Sequence, residues 1–233
     1  MKKKKIVFLT GAGVSAESGV PTFRDSGGLW EGYDVEDVAS IEGWYRNPKL
    51  MLDFYTDRRK AMLSVEPNAA HRAIAKLEKK YDVVVVTQNV DDLHERGGST
   101  NVLHLHGELS KVCSSRDKET CIKVLPYEIP MKLGDKADDG SQLRPYIVWF
   151  GEAVPNIQRA LEEVASADIF VVVGTSMQVQ PAASLIFASR AEQNYIIDPN
   201  TPKEVERLGS DIRVIQKKAT EGMAELLDIL MQP

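Results

Sequence analysis

The stretch Ile6-Val7-Phe8-Leu9-Thr10-Gly11-Ala12-Gly13-Val14-Ser15-Ala16 decides the fold. Its first five residues do not alternate between apolar and polar, which suits a strand buried on both faces of a parallel sheet. That strand runs directly into a G-x-G-x-x-A turn. Glycines there permit a tight turn and a close approach of backbone N–H groups to a pyrophosphate, and a following helix N-terminus adds a favourable dipole. Two glycines can also serve close packing alone, but the strand before and the helical pattern after favour a nucleotide. Lysines 2–5 followed by an apolar run look like the start of a secretory signal, with Ala12, Val14 and Ala16 as a cleavage region. The run is only four residues long, and removal would discard the glycine turn. A first buried strand in a cytoplasmic protein is therefore expected.

Working outward, further β-branched runs occur at 83–87, 147–150, 169–173, 195–197 and 212–215. Helical patterns lie between them at 67–80, 155–165, 182–190 and 220–231. This alternation argues for an α/β fold, a Rossmann-like doubly wound parallel sheet. Two stretches break it. Residues 32–63 are helix-like, and 108–143 are polar with weak periodicity. The expected division is a large domain of 1–31, 81–107 and 144–233, with 32–80 and 108–143 forming a smaller inserted lobe. The chain has 233 residues, 43% of them hydrophobic and 27% charged, which excludes disordered, collagen-like and membrane-embedded classes. No apolar run approaches the ~20 residues of a membrane span. A net charge of −5 argues against a broad nucleic-acid face and tolerates cationic peptide segments. Two cysteines, Cys113 and Cys121, cannot build a disulfide framework and suit a reducing compartment as free thiols.

An ordinary dehydrogenase would place a second strand and an acid about 20 residues beyond the glycines. Here the chain reads Gly19-Val20-Pro21-Thr22-Phe23-Arg24-Asp25-Ser26-Gly27-Gly28-Leu29-Trp30, a loop by its proline and glycines. Aromatic and guanidinium groups between glycine hinges read as a flap that closes over a cofactor. Three more polar clusters read as strand ends, where open α/β sheets bind ligands, two of them following apolar runs and the other, at 103–107, closing a short strand of its own. They are Thr87-Gln88-Asn89-Val90-Asp91-Asp92-Leu93-His94, Leu103-His104-Leu105-His106-Gly107 and Gly174-Thr175-Ser176. Asn89 or Asp91 alone could be a helix N-cap, and Gly174-Thr175-Ser176 a simple turn. Alternation puts His104 and His106 on one face of a short strand, and a neutral imidazole there could act as a general base near pH 7.

Together these motifs, in this order and spacing, resemble the sirtuins, NAD-dependent protein-lysine deacylases. The resemblance runs from Ile6 to about Thr220. It implies NAD as co-substrate, acyl-lysine proteins or peptides as partners, and nicotinamide, free lysine and O-acyl-ADP-ribose as products. It implies that His106 is the general base for the ribose hydroxyls, with Asn89 positioning the ribose and a water and Asp91 the nicotinamide carboxamide. The cofactor site carried over is Gly11, Ala12, Gly13, Ser15, Ala16, Thr22, Phe23, Arg24, Trp30, Gln88, Asn89, Asp91, Gly174, Thr175, Ser176, Asp198 and Ala219. Asp198 stands where the family commonly has asparagine, and its carboxylate can still accept hydroxyl hydrogen bonds. Pro145 to Glu152 resembles the peptide-binding strand, with Val148, Trp149, Phe150 and Gly151 meeting substrate. Neither nucleic acid nor membrane is an implied partner, and a monomer is favoured.

Tyr55-Thr56-Asp57-Arg58 narrows the resemblance to the class III branch, which removes succinyl, malonyl and glutaryl groups. Residues three apart share a helical face, so a phenol and a guanidinium fork could meet one acyl carboxylate. Taken alone, Tyr55 could equally be a packing residue beside a solvent-facing Arg58. Sirtuins usually hold a structural zinc with two C-x-x-C pairs; here neither Cys113 nor Cys121 has such a partner, and no histidine lies within 108–143. No zinc is expected. Since zinc can contribute ~10 kcal/mol or more to such a site, packing by Val124, Leu125, Tyr127, Ile129, Met131 and Leu133 is the expected substitute. The competing readings are an NAD hydrolase or ADP-ribosyltransferase on the same fold, a non-catalytic NAD or ADP-ribose binding module, and a hydride-transferring dehydrogenase. The last is disfavoured by the loop where its second strand should be.

Overall fold

The computed structural model describes residues 3–22, 29, 30, 32–200 and 212–232. The chain begins with β1 (Lys5–Thr10), α1 (Gly13–Ala16), β2 (Leu29–Trp30) and β3 (Tyr33–Asp34). Helices α2 (Val35–Val38), α3 (Ile41–Arg46), α4 (Pro48–Ala61) and α5 (Ala69–Leu77) follow. Next come β4 (Asp82–Thr87), α6 (Leu93–Arg96), β5 (Val102–His104), β6 (Gly107–Ser114), β7 (Lys123–Val124) and β8 (Leu143–Ile147). The order ends with α7 (Ile157–Ala165), β9 (Ile169–Val173), β10 (Gln193–Ile197), β11 (Ile212–Ile215) and α8 (Ala219–Met231).

Six strands form one parallel sheet in the order β11-β10-β9-β1-β4-β5. The order reverses at β1, as in a doubly wound Rossmann-like sheet. The inner residues of its central strands β1, β4 and β9 are apolar because both faces are covered. Ile6, Phe8, Val83, Val85, Ile169 and Val171 face one core layer with α5 and α8. Val7, Leu9, Val84, Val86, Phe170 and Val172 face the other, with α7 and a 3-10 helix at Ala182–Ala188. That segment was expected to be an α-helix through residue 190.

Two other expectations are corrected. Helix α5 does not belong with an inserted 32–80 unit: Ala70, Ile74 and Leu77 lie in the core layer beneath the parallel sheet. Residues 147–150 are not a strand of that sheet. The strand lies earlier, at β8, in a separate three-stranded antiparallel sheet of order β7-β6-β8.

A third apolar cluster joins α4 to this small sheet. Met51, Leu52, Phe54 and Tyr55 of α4 meet Leu109, Val112, Leu143, Ile147, Trp44 and Trp149. The start of α4 is set by Asn47, whose side chain accepts from the Leu50 N–H (3.1 Å), and by Pro48 in the first turn. The packing expected for 124–133 is only half present. Met131 is buried, and Leu125 and Tyr127 are partly so, but Val124, Ile129 and Leu133 are exposed. The larger tie is polar. Arg59, fully buried on α4, donates through Nη1 to the Leu109 carbonyl and through Nη2 to those of Leu125 (2.8 Å) and Pro126 (2.7 Å). Its guanidinium lies 5.5 Å from the Tyr127 ring centroid. One side chain thus joins the helix to β6 and to the segment after β7. Both cysteines are free thiols.

Arg59→Met should leave these three carbonyls without their donor. At ~1–3 kcal/mol for each buried unsatisfied group, a loss of about 3 kcal/mol or more is expected. For a chain of this size that lowers Tm by roughly 6–12 °C, read by calorimetry; an unchanged Tm would remove the tie.

Candidate active site

The four polar clusters leave adjacent strands on the same edge. Thr10 pairs with Thr87 and Val173, and Thr87 pairs with His104. The segments that follow are therefore side by side at the carboxyl ends of β9, β1, β4 and β5, at the switch point where ligands bind in such sheets.

Two backbone donors of the glycine turn are used within the protein. The Gly11 N–H donates to the Val173 carbonyl (3.1 Å) and the Gly13 N–H to that of Gly174 (2.9 Å). A Cβ on Gly13 would lie 2.7 Å from Gly174 Cα, and one on Gly174 would lie 2.6 Å from the Gly13 carbonyl carbon. The glycines let two strand-end turns touch. Helix α1 is a single turn, with Ala12 half-buried before it and Ala16 exposed at its end.

Ser15 is the hub beneath this turn. Its hydroxyl donates to Asp91 Oδ2 (3.1 Å) and accepts from Asn89 Nδ2 (3.1 Å). His71 Nδ1 accepts from the Asn68 N–H (3.2 Å), so Nε2 carries the proton and faces Ser15 Oγ at 3.4 Å. Burial pushes the His71 pKa down to about 4, so the ring is neutral. Burial also raises the Asp91 pKa, against hydrogen bonds from the Leu93 N–H and Ser15. Sequence reasoning missed His71, although Asn-x-x-His at a helix start is the signal of the capping box it completes. It gave no role to His94, the last residue of the 87–94 cluster, which is fully buried with Nε2 3.0 Å from Thr10 Oγ1.

Gln88 links the remaining clusters. Its side chain donates to Thr175 Oγ1 (2.9 Å). Its carbonyl faces His106 Nδ1 at 3.0 Å. A carbonyl only accepts, so Nδ1 is protonated and Nε2 is left as the acceptor. Burial lowers the His106 pKa, which keeps the ring neutral at pH 7. Gly107 follows because a Cβ there would overlap the Tyr146 carbonyl of β8, at φ +82.

The other expected residues divide. Gly174 and Ser176 are half-buried at the end of β9. Asp198 caps its own turn by accepting from the Asn200 N–H (2.8 Å). The Ala219 side chain is part of the apolar core. Thr22 is half-buried, and Phe23 and Arg24 lie outside the described residues. Trp30 packs on Phe54 (5.2 Å between centroids) and lies 4.1 Å from the Arg58 guanidinium.

Tyr55 and Arg58 do share the inner face of α4. The Tyr55 hydroxyl accepts from Trp149 Nε1 (3.0 Å), and full burial pushes its pKa up to about 12. The ring of Trp149 turns inward, 2% exposed, onto the Arg144 guanidinium at 3.4 Å. Arg144 forks onto Glu152 at 2.8 and 3.0 Å, and Glu152 in turn accepts from the Trp149 N–H. Residues 148–150 form a stitched loop rather than a strand. The Val148 N–H donates to the His106 carbonyl (2.9 Å) and the Phe150 N–H to that of Ala39 (2.8 Å). Phe150 and Gly151 are exposed.

A family model described as "Sir2 family" matches residues 11–181. A Bacteroides thetaiotaomicron protein named NAD-dependent protein deacylase is 55% identical over 232 residues, covering 98% of this chain and 98% of its own. A solved Sir2 homolog–NAD complex superposes with a TM-score of 0.85 at 40% identity, covering 98% of this chain and 90% of the other. A Sir2–p53 peptide–NAD+ complex does so with a TM-score of 0.78 at 28% identity, over 97% and 93%. With the matched segment holding the glycine turn, the Ser15 hub and the His106 loop, the chain belongs to the Sir2 family.

Proposed function

We propose that this chain is an NAD-dependent deacylase of lysine side chains in proteins or peptides, with His106 as its base. The observation that carries the reading is the His106 ring: Nδ1 is committed to Gln88, and Nε2 is an acceptor with no hydrogen-bond partner among the described residues. The deacylase name of the Bacteroides relative and the NAD-bound homolog support NAD as co-substrate. The donor set fits a dinucleotide, because side chains from four adjacent strand ends converge with an unpaired imidazole nitrogen among them. NAD supplies the ribose that receives the acyl group as nicotinamide leaves.

His106 Nε2 would take a hydroxyl proton, a role that requires the neutral ring. Ser15 holds Asn89 and Asp91 in fixed orientation, so that the amide can meet the ribose and the carboxylate the carboxamide. Gly174, Thr175, Ser176 and Asp198 would line the adenosine side, and Phe23 and Arg24 would close over the site. Gly11 and Gly13 contribute by shape rather than by donation. The peptide of the Sir2–p53 complex supports an acyl-lysine partner, which would lie along 148–151, where Val148 is bonded to the His106 carbonyl. We read two lobes: the parallel sheet with its helices, α5 included, and a smaller one of α2–α4 and the small sheet. A reducing, cytoplasmic setting accords with free Cys113, whose thiol burial pushes up to about 12.

For the acyl group we propose a carboxylate-bearing chain. The Tyr55 oxygen accepts from Trp149, and its own proton goes to no described residue. Together with Arg58 it can supply a donor and a positive charge. We propose also that no zinc holds the small lobe. Among the described residues no group of three or more His, Cys, Asp or Glu could bind a metal, and Arg59 makes the cross-link.

His106→Ala should lower deacylation by ~10²–10⁴-fold with Tm little changed. In the wild type, kcat/KM should hold at neutral pH and fall on the acid side only below about 6.5, as the base is protonated; near wild-type turnover in the variant rejects the base. Nicotinamide release without acyl-peptide would favour the NAD hydrolase or ADP-ribosyltransferase reading. Tyr55→Phe with Arg58→Met should cost desuccinylation roughly ten- to hundredfold, from about 1.5–3 kcal/mol of charged hydrogen bonding, with deacetylation much less affected. Equal losses would argue against the acyl-carboxylate pocket. Excess chelator should leave Tm unchanged; a drop, with metal recovered from the sample, would overturn the zinc-free lobe.

A further inference from the structure

His104 ends β5 two residues before His106 and is only 7% exposed. Both of its ring nitrogens face acceptors. Nε2 lies 2.8 Å from Glu95 Oε1, and Nδ1 lies 3.0 Å from the Asn89 carbonyl oxygen. Neither a carbonyl nor an ionised carboxylate can donate, so satisfying both contacts requires a proton on each nitrogen. That state is the imidazolium.

The surroundings agree with the geometry. Burial works against the charge, but the hydrogen bond and charge of Glu95, the charge of Glu108 and the Asn89 carbonyl outweigh it and raise the His104 pKa. Glu95 moves the other way: burial is outweighed by the bond to His104 and its charge, with Lys111 adding to them. The same charge opposes the burial that raises Asp91, and it adds to burial and to His71 in lowering His94 of α6. The residue's own carbonyl accepts from Asn156 Nδ2 (2.9 Å), so its backbone is also held by the segment before α7.

Two imidazoles therefore bind adjacent carbonyls. His106 is neutral on Gln88, and His104 is charged on Asn89. The second contact braces the turn whose Asn89 and Asp91 side chains meet Ser15. We propose that His104 is a positioning residue for deacylation: an imidazolium strut between Glu95 and the Asn89 carbonyl that fixes the 88–91 turn on which His106, Asn89 and Asp91 depend. The proposal rests on the reading of His106 as base. When His104 loses its proton, one of the two bonds is lost and the turn is released. Turnover then gains an alkaline limb that His106 does not produce.

The test uses the full chain labelled with ¹⁵N-histidine, whose four rings are assigned by substitution. At pH 7 the His104 ring should be doubly protonated. Glu95→Gln keeps an acceptor oxygen but removes the charge. It should move the His104 titration down by about one pH unit or more, and the alkaline limb of kcat/KM should move with it while the acid limb stays. Glu95→Asp, which restores the charge, should return both toward wild type. A neutral His104 ring at pH 7, or an alkaline limb that stays put when the ring's titration moves, overturns the strut. His106→Ala should leave the imidazolium signal in place. If that variant also keeps full turnover, the base assignment fails while the strut stands.

Discussion

The site depends on a contact that leaves no room for side chains. Strands β1 and β9 run in register, so the turns that follow them meet, with the Gly13 N–H on the Gly174 carbonyl. A Cβ at either position would overlap the other turn's backbone. Because the turns touch, Thr175 comes within reach of the Gln88 side chain, and the Gln88 carbonyl then fixes which nitrogen of His106 is protonated. A steric constraint between two glycines is thereby linked to the tautomer of an imidazole that follows β5, two strands from β1.

Much of this was legible in the sequence, for identifiable reasons. Runs such as 83–86 and 169–173 are apolar at every position, which only a sheet covered on both faces explains. The clusters at 11–16, 87–94 and 174–176 could be placed at strand ends because each followed such a run, and that at 103–107 by its own alternation into a glycine. That the Gly11 and Gly13 N–H groups bond to a neighbouring turn was not legible, since sequence does not tell which N–H a partner distant in the chain will satisfy. Strand β8 was displaced because Arg144 and Pro145 look unsuited to a strand. Arg144 is buried there only because Glu152, eight residues on, forks onto it. Helix α5 was grouped with the helices before it although β4, which follows it, shares its core layer; its helical partner, α8, lies at the other end of the chain.

Buried polar groups, more than apolar area, set the details of the smaller lobe. The terminal nitrogens of Arg59 donate to carbonyls, and those of Arg144 to a carboxylate beneath two indole faces, while the Nε of each is buried without a partner among the described residues. Such groups are costly when only partly paired, so they favour one arrangement over its near alternatives. Three of the six apolar residues expected to hold 124–133 remain in water, which leaves this work to the guanidinium.

Neighbouring positions on α4 divide their labour. Arg59 anchors the helix from one side, while Tyr55 and Arg58 face the aromatic cluster of Trp30 and Trp149. Anchorage and the proposed acyl selectivity thus sit within one helical turn. Because Tyr55 is fully buried and bonded to Trp149, a lineage that exchanged it to change its chemistry would also have to repack the scaffold around it.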